Sequence, residues 1–274
     1  MTSITNENCI IEDHISNCMH IYLIAFDTLG KYFFDIYNHQ VFPKHFLFCL
    51  INSDSVKLKY ASIDFIYLCT LKGIDISNYF DRSIYSSLVN LLRNHDHEVR
   101  IEVALTINNI ININKDSVIN FINENIEKSN VFPIAQSLIS QHPQFRSCSN
   151  ENYQEILIKV KLIQTIINFY PAGYLFKFDI NYFVQYYLQI LEQGNSDISS
   201  IIFKIFICML DHLSKLGENK IDLFISSFMA HEGIDIAKEY VEGVMSDEAS
   251  SVHATEFLSV LRQSMNDDEN LDFQ

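Results

Sequence analysis

The sequence predicts an all-α protein on the strength of three observations. Apolar residues recur at spacings of three and four through most of the chain, as in Ser83–Arg93 and His97–Asn112. The 274 residues include only 7 Gly and 4 Pro, too few for the frequent turns of all-β sandwiches and barrels. Polar stretches with Ser or Asp, such as Asn52–Ser55 and Asn94–His97, place helix N-caps before apolar runs. We therefore expect on the order of a dozen helices and no strand.

The helices form a recurring unit in which a polar turn precedes a longer helix. The turn at Asn52–Ser55 leads into Val56–Leu71, the turn at Asn94–His97 into Glu98–Asn112, and Asn195–Asp197 into Ile198–Leu216. The first two turns begin 42 residues apart by numbering (52 to 94). A helical period of ~40–47 residues is typical of armadillo and HEAT repeats, which stack because one helix pair cannot bury its apolar face alone.

This period predicts a right-handed α-solenoid of about five or six armadillo/HEAT-like repeats over residues 1–264. The polar, proline-containing stretch 141–152 is interpreted as an inserted loop, and residues 265–274 as an acidic, disordered tail. The aromatic stretch Tyr170–Tyr187 is expected to fill the core rather than to bind a ligand.

The charge balance limits the classes of partner. The chain has 19 Lys and Arg against 34 Asp and Glu, a net charge of −15, so it would repel nucleic acid and anionic membranes. No apolar run approaches the ~18 residues of a membrane span. The glycines never fall into GxGxxG or GxxxxGK[ST], which excludes nucleotide binding by those loops. We expect a protein or peptide partner that is neutral or basic, and no cofactor.

The predicted localisation of the protein is the cytoplasm, the nucleus or both. Its six cysteines form no CxxC motif and have the spacing of helix-face residues, as expected of reduced core thiols. The polar start Met1–Asn8 predicts no signal peptide. The chain also contains no Asn-x-Ser/Thr sequon.

Two parts of the chain resemble the armadillo repeats of the importin-α family. In Val99–Leu138, Asn109 matches the Asn of that family's Trp-x-x-x-Asn pattern, and Asn112–Asn125 follows the pattern of the next turn and helix. Farther on, Leu216-Gly217-Glu218 resembles the leucine-glycine-glutamate after the family's ninth long helix, and His231–Leu258 resembles its closing repeat. The resemblance covers roughly residues 52–262 and concerns the C-terminal half of the family's array.

The resemblance implies a set of peptide-binding residues. In the family, indole rings form slots for the stems of Lys or Arg, and Asn amides hold the peptide backbone by donating and accepting at once. The chain contains no Trp, so other residues stand at the slot positions. The four pairs that match the pattern are Phe65 and Cys69, Leu105 and Asn109, Gln164 and Asn168, and Cys208 and His212. Of these, the residues implied to bind peptide are Asn109, Asn168, Phe65, Leu105, Gln164 and His212.

The function implied is therefore non-enzymatic recognition of an extended, basic segment on a concave groove. Nearby acids would steer such a ligand: Asp54, Asp64, Glu98, Glu102, Asp197 and Asp211. Met1–Asp27 has no counterpart of the family's basic segment that binds importin-β. The resemblance thus indicates a nuclear transport adaptor or regulator without that segment. The alternative is an armadillo or HEAT scaffold that binds no nuclear localisation signal.

An enzyme is the least favoured interpretation. The tripeptide His95-Asp96-His97 invites comparison with all-α metal-dependent phosphohydrolases, but Asp96 stands where the following helix needs an N-cap. Cys208 and His212 are four apart on one helix, a spacing that does not by itself define a metal site. HExxH is absent, as is any nucleophile motif with local sequence support. We expect no metal and no catalytic residue.

Overall fold

The computed structural model describes residues 3–29, 44–72, 82–92, 94–113, 150–169, 179–244 and 248–265. Across these ranges every regular element is a helix and none is a strand, which confirms the all-α prediction. The chain divides into two compact units, Met1–Ile134 and Ala135–Gln274. Each unit is described by itself below.

In the first unit, long and short helices alternate along the chain. Its helices are α1 (Ser3–Leu29), α2 (Lys44–Ile51), α3 (Val56–Leu71), α4 (Arg82–Leu91) and α5 (His97–Ile113). The long helices α1, α3 and α5 lie in a row, with α3 packed against both of the others. The shorter helices α2 and α4 contact each other, and they pack on α3 and α5 respectively.

The long helices of the first unit run parallel to one another. Lys57 pairs with Asp13 at 2.7 Å, and Lys72 pairs with Asp27 at 2.9 Å. Residue numbers therefore increase in the same direction along α3 and α1. These contacts join residues 44 and 45 positions apart. Tyr60 of α3 contacts Glu98 of α5 at a separation of 38 residues. A short helix and two connections therefore return the chain to the start of each new long helix.

In the second unit, as in the first, shorter helices separate the long ones along the chain. Its helices are α6 (Asn150–Phe169), α7 (Ile180–Leu191), α8 (Ser196–Ser214), α9 (Glu218–Ala230), α10 (Gly233–Val241) and α11 (Glu248–Ser264). The long helix α8 packs between α6 and α11, while α7 and α9 pack on each other and on α8. Tyr153 contacts Asp197 and Ile167 contacts His212, at separations of 44 and 45 residues, so α6 and α8 are parallel.

The predicted turns lie where the long helices begin. Asp96 Oδ1 accepts hydrogen bonds from the backbone N–H of Glu98 at 3.0 Å and of Val99 at 3.3 Å, which confirms its capping role. Helix α3 begins at Val56 as expected, although the Ser55 hydroxyl makes no capping bond. These turns end one helix and start the next because their side chains satisfy N–H groups that no helical carbonyl reaches.

The boundaries of two predicted irregular segments need correction. Helix α6 begins at Asn150, so the last three residues of the predicted insertion 141–152 are helical, and the rest of it lies outside the described residues. Met265 is buried, and its N–H donates to the carbonyl of Leu261. Residue 265 therefore does not belong to a disordered tail, and residues 266–274 lie outside the described residues.

An aromatic cluster forms the core of the second unit. The ring of Phe206 on α8 lies within 6.1 Å of four other rings, measured between centroids. Those rings belong to Tyr187, Phe224, Phe228 and Phe257, so the cluster joins α7, α8, α9 and α11. Within the described part of the stretch Tyr170–Tyr187, the side chains of Phe183, Tyr186 and Tyr187 are buried as predicted, whereas Tyr182 is 44% exposed.

Candidate functional site

The candidate site lies on the row surface of the first unit, which we define as the exposed sides of α3 and α5. Helix α3 contacts α1, α2 and α5, and part of its surface remains exposed. Within this part, each partly or fully exposed residue of one stripe lies three or four positions from another one: Lys57, Tyr60, Asp64, Tyr67, Leu68 and Leu71. On α5 the corresponding stripe is Glu98, Glu102, Leu105 and Asn109.

Two half-buried carboxyl groups, Asp64 on α3 and Glu102 on α5, interact electrostatically. Burial raises the pKa of Asp64, and the charge of His20 on α1 partly opposes that rise. Burial also raises the pKa of Glu102, and the negative charge of Asp64 raises it further. Among the described residues, no Lys or Arg forms an ion pair with either carboxylate. A ligand's cation at this place would relieve the repulsion between the two groups and lower the pKa of both.

Tyr60 and Glu98 extend this polar surface toward the N-termini of α3 and α5. Tyr60 Oη donates to Glu98 Oε2 at 3.4 Å. Burial raises the pKa of Tyr60, and the carboxylates of Glu98, Asp96 and Glu102 raise it further, so its phenol stays protonated. Tyr60 did not emerge from the sequence as a site residue, although its position four residues before Asp64 on a helix could have indicated it.

The raised pKa values of Asp64 and Glu102 predict an unusual pH dependence of stability. Between the unfolded and folded pKa values the folded chain binds more protons than the unfolded chain, so its free energy of unfolding falls as pH rises through that interval. We expect Asp64→Asn/Glu102→Gln to be more stable than the parent at pH 7. This gain will shrink as the pH falls through the folded pKa values, which lie above the ordinary 3.8 and 4.5.

Urea denaturation at pH 7.5 and at pH 5 measures this difference. The variant Glu192→Gln/Asp222→Asn is the control, because it removes the same charge from exposed positions of the second unit. A gain in stability that is equal in both variants, or equal at both pH values, would contradict the prediction.

Asn109 is available to a ligand on the same surface. Its side chain is half-buried, and it makes no hydrogen bond to any residue that the structure describes. Leu105, one turn earlier, is also half-buried. An unengaged amide can donate and accept at once, which is what holding an extended peptide backbone requires. The structure therefore brings Asn109 and Leu105 together with Glu102 on one face of α5.

Phe65 does not suit the role that the resemblance implied. Its side chain is 2% exposed and lies in the core of the first unit, as does that of Cys69. A buried ring has no free face on which a lysine or arginine stem could lie. The next residue back along α3, Asp64, is the one that reaches the surface. The prediction for Phe65 is therefore wrong in this structure.

The other predicted residues meet where α6 contacts α8 in the second unit. The Cys208 thiol donates to Asn168 Oδ1 at 3.2 Å, and His212 Nε2 donates to the carbonyl of Ile167 at 3.0 Å. Asn168 is exposed, and Gln164 lies one turn before it, half-buried and without a hydrogen bond to any described residue. The Asn168 amide N–H groups and Gln164 remain open to a ligand, whereas His212 Nε2 is already engaged.

The chemistry of this cluster does not support a nucleophile. Burial raises the pKa of the Cys208 thiol, and the negative charges of Asp211 and Glu256 raise it further, so the thiol is not activated. Among the described residues, no group of three or more His, Cys, Asp or Glu is placed to hold a metal ion. Asp96, the central residue of the His-Asp-His tripeptide, is engaged in capping α5.

No protein-family model, curated protein or solved structure matches this chain. The likeness to importin-α thus stays a prediction drawn from the residues quoted above. None of the helices in the described ranges is both long and apolar enough to span a bilayer.

Proposed function

We propose that the chain is a non-enzymatic protein-binding module that recognises an extended, basic peptide segment on the row surface of its first unit. The observation that carries the proposal is the interacting carboxyl pair Asp64 and Glu102 on the same surface as the unengaged amide of Asn109. A lysine or arginine side chain would neutralise the pair, while the amide would bind the backbone of the same segment.

The spacing of these groups suits an extended chain. Glu102 and Asn109 are seven residues apart on α5, which is about 10 Å at the rise of an α-helix. An extended peptide advances about 3.3 Å per residue, so the neutralised side chain and the bound peptide group would be about three residues apart. Leu105 lies between them and offers apolar contact to the aliphatic stem of a basic side chain.

We further propose that each unit belongs to a right-handed α-solenoid of armadillo/HEAT-like repeats. The supporting observation is the parallel packing of successive long helices, whose contacts join residues separated by 38 to 54 positions. Such a separation is close to one armadillo or HEAT period. A role as an importin-α-like adaptor or regulator, in the cytoplasm or nucleus, rests on the resemblance alone.

A binding titration tests the proposal. A fluorescently labelled peptide with five consecutive Lys and Arg residues is titrated with the full chain at physiological salt, and its anisotropy is followed. We expect micromolar or tighter binding. Asp64→Asn/Glu102→Gln is expected to weaken binding about 10- to 100-fold, because charge-assisted hydrogen bonds are worth about 1.5–3 kcal/mol. Asn109→Ala, which leaves the charge unchanged, is expected to weaken it about fivefold.

Two controls separate a site from general charge attraction. Glu192→Gln/Asp222→Asn changes the net charge by the same amount outside the first unit and is expected to leave binding within twofold. Repeating the titration with Asn168→Ala tests the second unit by itself. Binding only at low salt, or binding insensitive to Asn109→Ala, would overturn the proposal and favour the scaffold that binds no nuclear localisation signal.

A further inference from the structure

Charge is divided sharply along the row surface of the first unit. Every charged residue of α3 lies at or before Asp64, and every charged residue of α5 lies at or before Glu102. No residue from 65 to 71 or from 103 to 113 carries a charge. The row surface therefore has an acidic end around Asp64 and Glu102 and, beyond it, an uncharged end. The apolar and aromatic side chains that are described as reaching the surface at the uncharged end are Tyr67, Leu68, Leu71 and Leu105.

The register between α3 and α5 shows how these residues are arranged. Tyr60 Oη donates to Glu98, which lies 38 positions later in the chain. Asp64 and Glu102, which interact electrostatically, are separated by the same number of positions (64 to 102). Because the offset is unchanged one turn later, the two helices keep one parallel register along the row surface.

The same offset matches the residues of the uncharged end with each other. It places Tyr67 opposite Leu105 and Leu71 opposite Asn109. The side chain of Leu71 is 56% exposed, and a single exposed leucine is common on a protein surface. This leucine, however, lies opposite the unengaged amide to which the proposed function assigns the ligand backbone. A ligand whose backbone binds Asn109 therefore passes beside Leu71.

The distance between the two ends sets the spacing of the ligand's side chains. Asp64 and Leu71 are seven residues apart on α3, which is about 10 Å along the helix axis. An extended segment covers this distance in about three residues. A segment made only of basic residues would place a charged group against Leu71, where the uncharged end of either helix offers it no anionic partner.

We propose that the segment bound by the row surface carries an apolar side chain about three residues from its basic side chain, and that Leu71 and Tyr67 contact this apolar side chain. The inference rests on the proposed function of the same surface and names the class of segment that the surface takes. The basic side chain binds at the acidic end, the backbone binds Asn109, and a leucine-like or phenylalanine-like side chain covers the uncharged end. Both ends then contribute to specificity, because a polar side chain at the second position leaves Leu71 in contact with water.

Peptide titrations with the full chain test this inference. The labelled peptides GSKKRGSLGS and GSLGSRKKSG hold a leucine three residues from an arginine in the two possible orders. Each is compared with the same peptide carrying Gln in place of Leu. At physiological salt we expect the leucine peptide of at least one order to bind about fivefold more tightly than its Gln counterpart, since part of the leucine surface leaves water. Leu71→Gln is expected to reduce this preference to less than twofold.

The control variant is Val252→Gln, which changes a similarly exposed apolar residue (57%) on α11 of the second unit. It is expected to leave the preference for leucine unchanged. Leu71→Ala replaces Leu71→Gln if circular dichroism shows that the glutamine impairs folding. A preference that persists in the Leu71 variant, or one that is lost in Val252→Gln, would overturn the inference.

The peptide with five consecutive basic residues separates this inference from the proposed function. If that peptide binds and depends on Asp64 and Glu102, while neither leucine peptide binds more tightly than its Gln counterpart, the inference alone is wrong. If none of the peptides binds at physiological salt, the proposed function is wrong and the inference is wrong with it.

Discussion

Phe206→Ala is expected to lower the free energy of unfolding by about 3–5 kcal/mol. The Phe206 side chain is fully buried at the centre of the aromatic cluster of the second unit. Its ring centroid lies 5.4 Å from that of Phe257, 5.6 Å from that of Phe224 and 5.7 Å from that of Phe228. Alanine would remove these edge-to-face and tilted contacts, and four helices would then border a cavity that they fill poorly.

Urea denaturation followed by circular dichroism measures this loss. Leu223→Ala is the control, because Leu223 is also on the second unit but is 37% exposed, and we expect it to cost less than about 1 kcal/mol. A cost for Phe206→Ala no larger than that of Leu223→Ala would show that the cluster does not organise the second unit. Since α8 carries Cys208 and His212, the same substitution is expected to disturb their contacts with α6.

Lys159→Met is expected to be about as costly, at about 3–5 kcal/mol. Lys159 Nζ donates to Glu155 Oε1 within α6, and the two side chains are only 5% and 8% exposed. Methionine matches the stem of lysine but carries no charge, so the Glu155 carboxylate would stay in the core without this ammonium group. Removing one partner of a buried ion pair costs more than the pair itself contributes.

The double variant Glu155→Gln/Lys159→Met tests that cause. It removes both charges, so we expect it to recover part of the stability lost in Lys159→Met. Urea denaturation of the parent, both single variants (Lys159→Met and Glu155→Gln) and the double variant gives the coupling energy. Lys215→Met is the matched control, because Lys215 pairs with Asp211 at the same i, i+4 spacing with both side chains more than half exposed. We expect it to cost about 0.5 kcal/mol or less. Equal costs at the buried and exposed pairs would contradict the prediction.

The helix starts could be predicted because their signals are local. Asp96 caps α5 through backbone N–H groups two and three residues away, and Val56 begins α3 directly after a polar turn. The insertion was placed less well, since polar residues such as Asn150 are compatible with both a loop and the first turn of a helix. Composition alone does not separate these two cases.

The site residues were predicted unevenly, for a physical reason. Asn109 and Leu105 lie on the exposed stripe of α5 as the pattern implied, whereas Phe65 is one position away from the stripe of α3. Neighbouring residues on a helix point about 100° apart, so an error of one position moves a side chain from the surface to the core. The sequence predicts acids that steer a ligand, but it does not predict the electrostatic interaction of Asp64 with Glu102.

By itself, the sequence determined the helical class, the turns that begin the long helices and the acidic charge of the chain. These follow from spacing, capping and composition, which act within a few residues. Only the tertiary structure decided that Asp64 interacts electrostatically with Glu102 and that Phe65 is buried. Burial and pairing depend on a neighbouring helix that is remote in sequence, and the periodicity of a single helix does not identify that neighbour or its register.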